Sequence, residues 1–303
     1  MEYFPQLKDI SRARLALNGT VMETPLTGNA YLSEHYGANV LFKREDLQTV
    51  RSYKIRGAIN KIKSLTPGLT SAGIVCASAG NHAQGVALSC NKLRINGTVY
   101  MPTTTPKQKV DQVKMFGREF VEVILTGDTF DAANAEALKY CKKTGKTFIP
   151  PFDDKKVIEG QGTMGIEILQ ECRDKVDYLF VPVGGGGLAA GVGALFRHMS
   201  PDTKIIGVEP SGAASMRAAF DAGHVVELAN VDKFIDGAAV KKVGELTYQV
   251  CREVLDDRIA VPEGAGCTTI LDLYNKNAIV AEPAGALPVA ARGQDGDRFK
   301  GGR

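Results

Sequence analysis

The chain has 303 residues, 44% apolar and 23% charged, with 37 lysines and arginines against 34 acids and a formal net charge of +3. That is length for about two domains and a full buried core, in proportions that exclude a disordered or collagen-like polymer. With no long run of one charge, it also excludes nucleic acid and anionic membranes as partners.

The six cysteines, none in C-x-x-C spacing, read as free thiols in a reducing compartment. The four histidines show no zinc-ligand spacing. Met1-Glu2-Tyr3-Phe4-Pro5 lacks a basic region followed by an apolar run, so no targeting peptide is expected.

In chain order, short apolar runs alternate with longer periodic ones. Residues 73–77 read as a strand, 81–90 as a small-residue helix and 98–101 as a strand stopped by Pro102. A helix over 107–116 ends at Gly117, and a strand over 120–125 follows. Residues 128–141 give a helix capped by Gly145, 147–149 a strand and 157–172 a helix.

The rhythm continues with strand 178–183, helix 188–198, strand 204–208 and helix 215–222. The nineteen uncharged residues 178–196 approach the length of a membrane span, but Pro182 and four glycines divide them into strand, turn and helix. Strand-helix alternation predicts an α/β architecture of two parallel-sheet domains with a cleft between them. The glycine-rich segment 292–303 is expected to be a mobile tail.

Three segments carry the chemistry. Lys54 lies in Ser52-Tyr53-Lys54-Ile55-Arg56-Gly57-Ala58, between an aromatic and an apolar residue. A low-polarity pocket there would disfavour its ammonium form and make it an amine nucleophile. Most lysines are solvated surface charges, so this segment alone decides nothing. Ser78-Ala79-Gly80-Asn81-His82 leads from a strand into a helix, where free amides and the helix dipole can cradle a carboxylate or phosphate. Gly184-Gly185-Gly186-Gly187-Leu188 repeats that arrangement with four glycines, which lets the main chain wrap a phosphate. Gly184, Gly186 and Ala189 also satisfy a dinucleotide fingerprint, with Glu209 at the end of the next strand. That alternative comes late in the chain and leaves Lys54 unexplained.

S-Y-K-I-R-G-A, S-A-G-N-H-A-Q-G and V-G-G-G-G-L, in this order, resemble the threonine dehydratase branch of the fold-type-II pyridoxal-phosphate enzymes. The resemblance spans about residues 10–290. It implies a larger cofactor-binding domain from 1–45 with 147–303, and a smaller mobile domain over 46–146. It makes Lys54 the Schiff-base lysine and Asn81 the partner of the cofactor's ring hydroxyl. Gly184, Gly185, Gly186, Gly187 and Leu188 become the phosphate cup, and Ser78, Ala79, Gly80, Asn81 and His82 the substrate-carboxylate loop.

The implied reaction removes ammonia from L-threonine, or L-serine, by β-elimination of the hydroxyl, giving 2-oxobutanoate or pyruvate. The implied setting is isoleucine biosynthesis in a cytoplasmic homo-oligomer, a dimer or tetramer, with an amino-acid substrate. Serine racemase or serine dehydratase chemistry is the alternative.

Two departures from the pattern carry expectations. Ser215 stands where the racemase branch has a metal-binding aspartate after Glu209, so no metal is expected. After Glu282-Pro283-Ala284-Gly285-Ala286, Pro288 is expected to interrupt a helix. The ring-nitrogen partner that follows in the family, and any regulatory domain, are expected to be missing, leaving a truncated, weakly active chain.

Overall fold

A computed structural model describes residues 3–294. The chain opens with α1 (Leu7–Leu17) and an antiparallel pair, β1 (Leu26–Gly28) and β2 (Leu41–Lys43), joined through α2 (Ala30–Tyr36). A short 3-10 turn, Glu45–Leu47, leads to α3 (Lys54–Lys63) and α4 (Pro67–Ala72). Then come β3 (Ile74–Ala77), α5 (Asn81–Leu93), β4 (Gly97–Met101), α6 (Lys107–Gly117), β5 (Val121–Leu125), α7 (Phe130–Thr144) and β6 (Thr147–Phe148). These strands form one parallel sheet in the order β5-β4-β3-β6.

The chain continues through α8 (Lys155–Glu171), β7 (Tyr178–Pro182), α9 (Gly187–Met199), β8 (Lys204–Pro210) and α10 (Ser215–Ala222). It closes with α11 (Glu245–Val254), β9 (Asp257–Val261), α12 (Glu263–Asn277) and α13 (Pro283–Gln294). The second parallel sheet runs β7-β8-β9. The expected α/β alternation is therefore present, in two sheets.

Three findings correct the sequence reading. Thr147 and Phe148 pair with Ile74 and Val75, so they belong to the first sheet rather than to the other lobe. The segment 292–294 closes α13, while 295–303, the rest of the expected mobile tail, lies outside the described residues. Pro288 sits inside α13 instead of ending it. Leu287 and Ala291 on either side are wholly buried, packed with Ile206, Val208 and Val261 of the second sheet. Their burial outweighs the backbone bond that proline cannot make.

Each sheet has its own core. Ile74, Cys76, Val99 and Met101 pack with Val86 and Ala87 of α5 in one, and Val181, Ile205, Val192 and Phe196 with Val254 in the other. The alternating pattern is absent from these strands because helices cover both faces.

Helices α3, α8 and α9 meet through a glycine seam. A Cβ on Gly160 would come within 2.6 Å of the Arg56 carbonyl oxygen, and one on Gly162 within 2.9 Å of that of Gly191. Only bare backbone fits at these crossings.

Candidate active site

The strand-to-helix turns at the carboxyl ends of β3 and β7 open on one cleft of about 1580 Å³. Parallel sheets place ligands at this end, where helix N-termini converge. Lys54, Ser78, Ala79, Gly80, Asn81 and His82 line the cleft, as do Gly184, Gly185, Gly186, Gly187 and Leu188. It therefore gathers the residues of all three segments that the resemblance assigns to cofactor and substrate.

Lys54 is the first residue of α3, its amide held by the Ser52 hydroxyl at 3.2 Å. Its Nζ donates to the Pro151 carbonyl at 3.0 Å and lies 5.5 Å from the centre of the Tyr53 ring. Burial lowers its pKa from the ordinary 10.5 to about 8, against the opposing pull of the Glu282 carboxylate. About a tenth of it is thus free amine at pH 7, far more than for an ordinary lysine, as a nucleophilic or basic lysine requires.

The glycine loop has its carbonyls tied inward. Thr247 Oγ1 donates to Gly185 O at 2.6 Å, and the Ala190 amide donates to Gly186 O at 2.9 Å. The amides of Gly187, Leu188 and Ala189 belong to the first turn of α9, where no intrahelical acceptor exists. Gly186 has φ +88°, a left-handed conformation that glycine adopts freely. A Cβ on Gly185 would collide with the Phe152 ring, and one on Gly187 would stand 3.0 Å from Phe152 Cβ. The Phe152 wall keeps the loop bare.

At the other turn, the Ser78 hydroxyl accepts from the Gly80 amide at 3.1 Å, and Gly80 caps α5. A Cβ on Gly80 would meet nothing within 4 Å, so its surface is open. His82 differs from a simple ligand reading. Its ring is buried, Nε2 lies 2.9 Å from the Ile149 carbonyl, and its pKa falls to about 3, chiefly through desolvation. The neutral ring donates to that carbonyl, which leaves only its first-turn backbone amide for an anion.

Glu282 is the residue that sequence reasoning missed. Asn81 Nδ2 donates to both its carboxylate oxygens at 2.8 Å, across 201 positions of chain. Burial holds its pKa above the ordinary carboxylate value. It was visible only as part of the E-P-A-G-A landmark, with no local pattern to assign it a partner.

Near Glu209 the geometry is different. Its carboxylate accepts from the amides of Met216 and Arg217 at 2.7 and 2.8 Å, and burial pushes its pKa up to about 7. Among the described residues, no group of three His, Cys, Asp or Glu side chains could hold a metal.

The cleft brings together two strand-to-helix turns with first-turn amides and a lysine of lowered pKa. The donor set fits pyridoxal phosphate: backbone amides for its phosphate and an amine for its aldehyde. A family model of pyridoxal-phosphate dependent enzymes matches residues 17–303, and the chain belongs to that family. It is 56% identical over 296 residues to the biosynthetic L-threonine dehydratase IlvA of Halalkalibacterium halodurans, covering 98% of this chain and 71% of that protein. The Bacillus subtilis enzyme of the same name is 54% identical, with 98% and 70% covered.

Among solved structures, processed threonine deaminase isoform 2 of Solanum lycopersicum superposes with a TM-score of 0.91 at 41% identity, over 98% of this chain and 87% of that one. Maize serine racemase gives 0.93 at 30% identity, with 98% and 88% covered. The fold is that of the fold-type-II pyridoxal-phosphate enzymes. Among the described residues, no helix is long and apolar enough to cross a membrane.

Proposed function

We propose that the protein deaminates L-threonine, and L-serine less well, to 2-oxobutanoate or pyruvate and ammonia. The observation that carries this reading is the depressed lysine facing two separate amide cradles within one cleft. The identity to two biosynthetic threonine dehydratases supports threonine ahead of serine.

In this reading, Lys54 takes the cofactor aldehyde. The amides of Gly184, Gly185, Gly186, Gly187 and Leu188 would hold its phosphate, and Asn81 would meet its ring hydroxyl. The segment Ser78-Ala79-Gly80-Asn81-His82 receives the substrate carboxylate through backbone amides, which suits the inward turn of the His82 ring. Bound cofactor supplies an electron sink that acidifies the substrate Cα–H bond. Lys54 Nζ accepts that proton, because its pKa of about 8 lets it exist as amine. The two cradles orient the substrate between them, and the walls of Phe152 and Ala238 limit water at the phosphate end.

The same reading takes residues 46–148 as the mobile lobe, and the protein as a cytoplasmic homo-oligomer that needs no metal.

The test is product analysis with protein reconstituted in pyridoxal phosphate. Wild type should form 2-oxobutanoate from L-threonine faster than pyruvate from L-serine. Lys54→Ala should lose cofactor attachment and at least about a thousandfold of activity, since general base catalysis alone contributes about 10²–10⁴-fold. Oxo-acid formation by Lys54→Ala at the wild-type rate, or racemisation of serine without ammonia release, would reject the assignment.

A further inference from the structure

A second feature lies behind Lys54. Arg56, two residues on, has no exposed surface. At about 100° per residue, it projects from the side of α3 opposite Lys54. Its guanidinium is clasped by two carboxylates. Nε and Nη2 donate to Glu45 at 2.8 and 2.7 Å, and Nη1 and Nη2 donate to Glu167 at 2.5 and 2.8 Å. Nη1 also donates to Thr163 Oγ1 at 3.2 Å.

Both carboxylates are themselves fixed. Thr24 Oγ1 donates to Glu45 at 2.5 Å, and Lys43 Nζ lies 2.8 Å from Glu167 and 2.9 Å from Glu171. The clasp therefore joins β2, the 3-10 turn at Glu45–Leu47, α3 and α8. Helix α8 begins shortly after Pro151, whose carbonyl receives Lys54 Nζ, and Phe152, which walls the glycine loop.

We propose that Arg56 is a positioning residue for Lys54: its double bidentate clasp sets the rotation of the first turn of α3, and so holds the Lys54 amine against the Pro151 carbonyl. This deepens the proposed function and rests on Lys54 being the cofactor lysine. Two planar forks gripped from two elements fix a helix about its axis in a way that a point charge cannot. With Gly57, Asn60 and Lys61, which also bond to the α8 segment, this clasp sets the rotation that keeps Nζ on the Pro151 carbonyl at the cleft wall. A turn of α3 would expose it and return its pKa toward that of an ordinary lysine.

The experiment follows the attachment of pyridoxal phosphate to Lys54. The amine condenses with the aldehyde, water leaves, and borohydride reduces the new C=N bond so that the lysine can be mapped and counted. The initial rate is measured against pH, below the melting temperature of each variant. Wild type should show a midpoint near pH 8. Arg56→Lys keeps the charge but loses the forks. Its midpoint should rise by about one unit, with attachment at pH 7 slowed about tenfold. Glu167→Gln should move the midpoint in the same direction and carries the test if Arg56→Lys does not fold.

Arg197→Lys is the control for loosened packing alone, since it disturbs the Arg197–Asp256 pair near the second sheet. It should lower the melting temperature and leave the midpoint in place. An unmoved midpoint in whichever Arg56 or Glu167 variant folds, or an equal shift in Arg197→Lys, would overturn the positioning role. Label on a lysine other than Lys54 in the wild type would instead overturn the cofactor assignment.

Discussion

Lys54 is tuned by two opposing influences. Desolvation removes its charge, and the Glu282 carboxylate restores part of it. Neutralising that carboxylate in Glu282→Gln leaves desolvation unopposed, so the Lys54 midpoint should fall below pH 8. A borohydride-trapping titration reads this directly, and a rise in the midpoint would contradict the geometry. The shift runs opposite to that expected for Arg56→Lys, so the two influences separate experimentally. Lys54 was legible because its neighbours in S-Y-K-I-R-G-A form a contiguous pattern. Glu282 was not, because its partner Asn81 lies 201 residues away and nothing local in either segment records that meeting.

Parallel strands such as β4, buried on both faces, read clearly as apolar runs bounded by turns. The three-residue strands β1 and β2 are too short to show alternation, and α3 was seen only as a motif. Pro288 misled for a physical reason: intrinsic propensity ends a helix there, while burial of Leu287, Ala290 and Ala291 sustains it.

Two substitutions follow. Pro288→Ala should raise stability by up to about 3 kcal/mol, as read from denaturant unfolding. Gly186→Ala should do the reverse. It forces a side chain into φ +88°, with its Cβ 2.6 Å from Met216 Cε, and should cost on the order of 1–2 kcal/mol before any loss of phosphate affinity. Cofactor titration of the folded variant should then show weaker binding.

Besides the buried Arg56 clasp and the Lys61–Asp154 pair, two exposed ion pairs cross between the two halves of the molecule. Lys109 of α6 pairs with Asp236, and Asp131 of α7 lies 3.9 Å from Lys241. All four side chains are at least one-third exposed, so each pair is worth roughly 0–1 kcal/mol and is screened by salt. Raising ionic strength should therefore increase KM for the amino acid modestly while leaving kcat nearly constant. Asp236→Asn should show a smaller salt dependence. An equal dependence in that variant would show that the salt effect does not come from these pairs.

The glycine seam has a further consequence, for mechanical stiffness. Most helix pairs are spaced by side chains whose rotamers can shift and compress. At Gly160 against Arg56, and Gly162 against Gly191, the spacer is the peptide backbone itself, with no rotamers to change. Lys54 begins one of these helices and the glycine loop begins another. Their separation is therefore set by atomic radii, and hydrostatic pressure should alter it far less than it alters the side-chain-packed interiors of the two sheets.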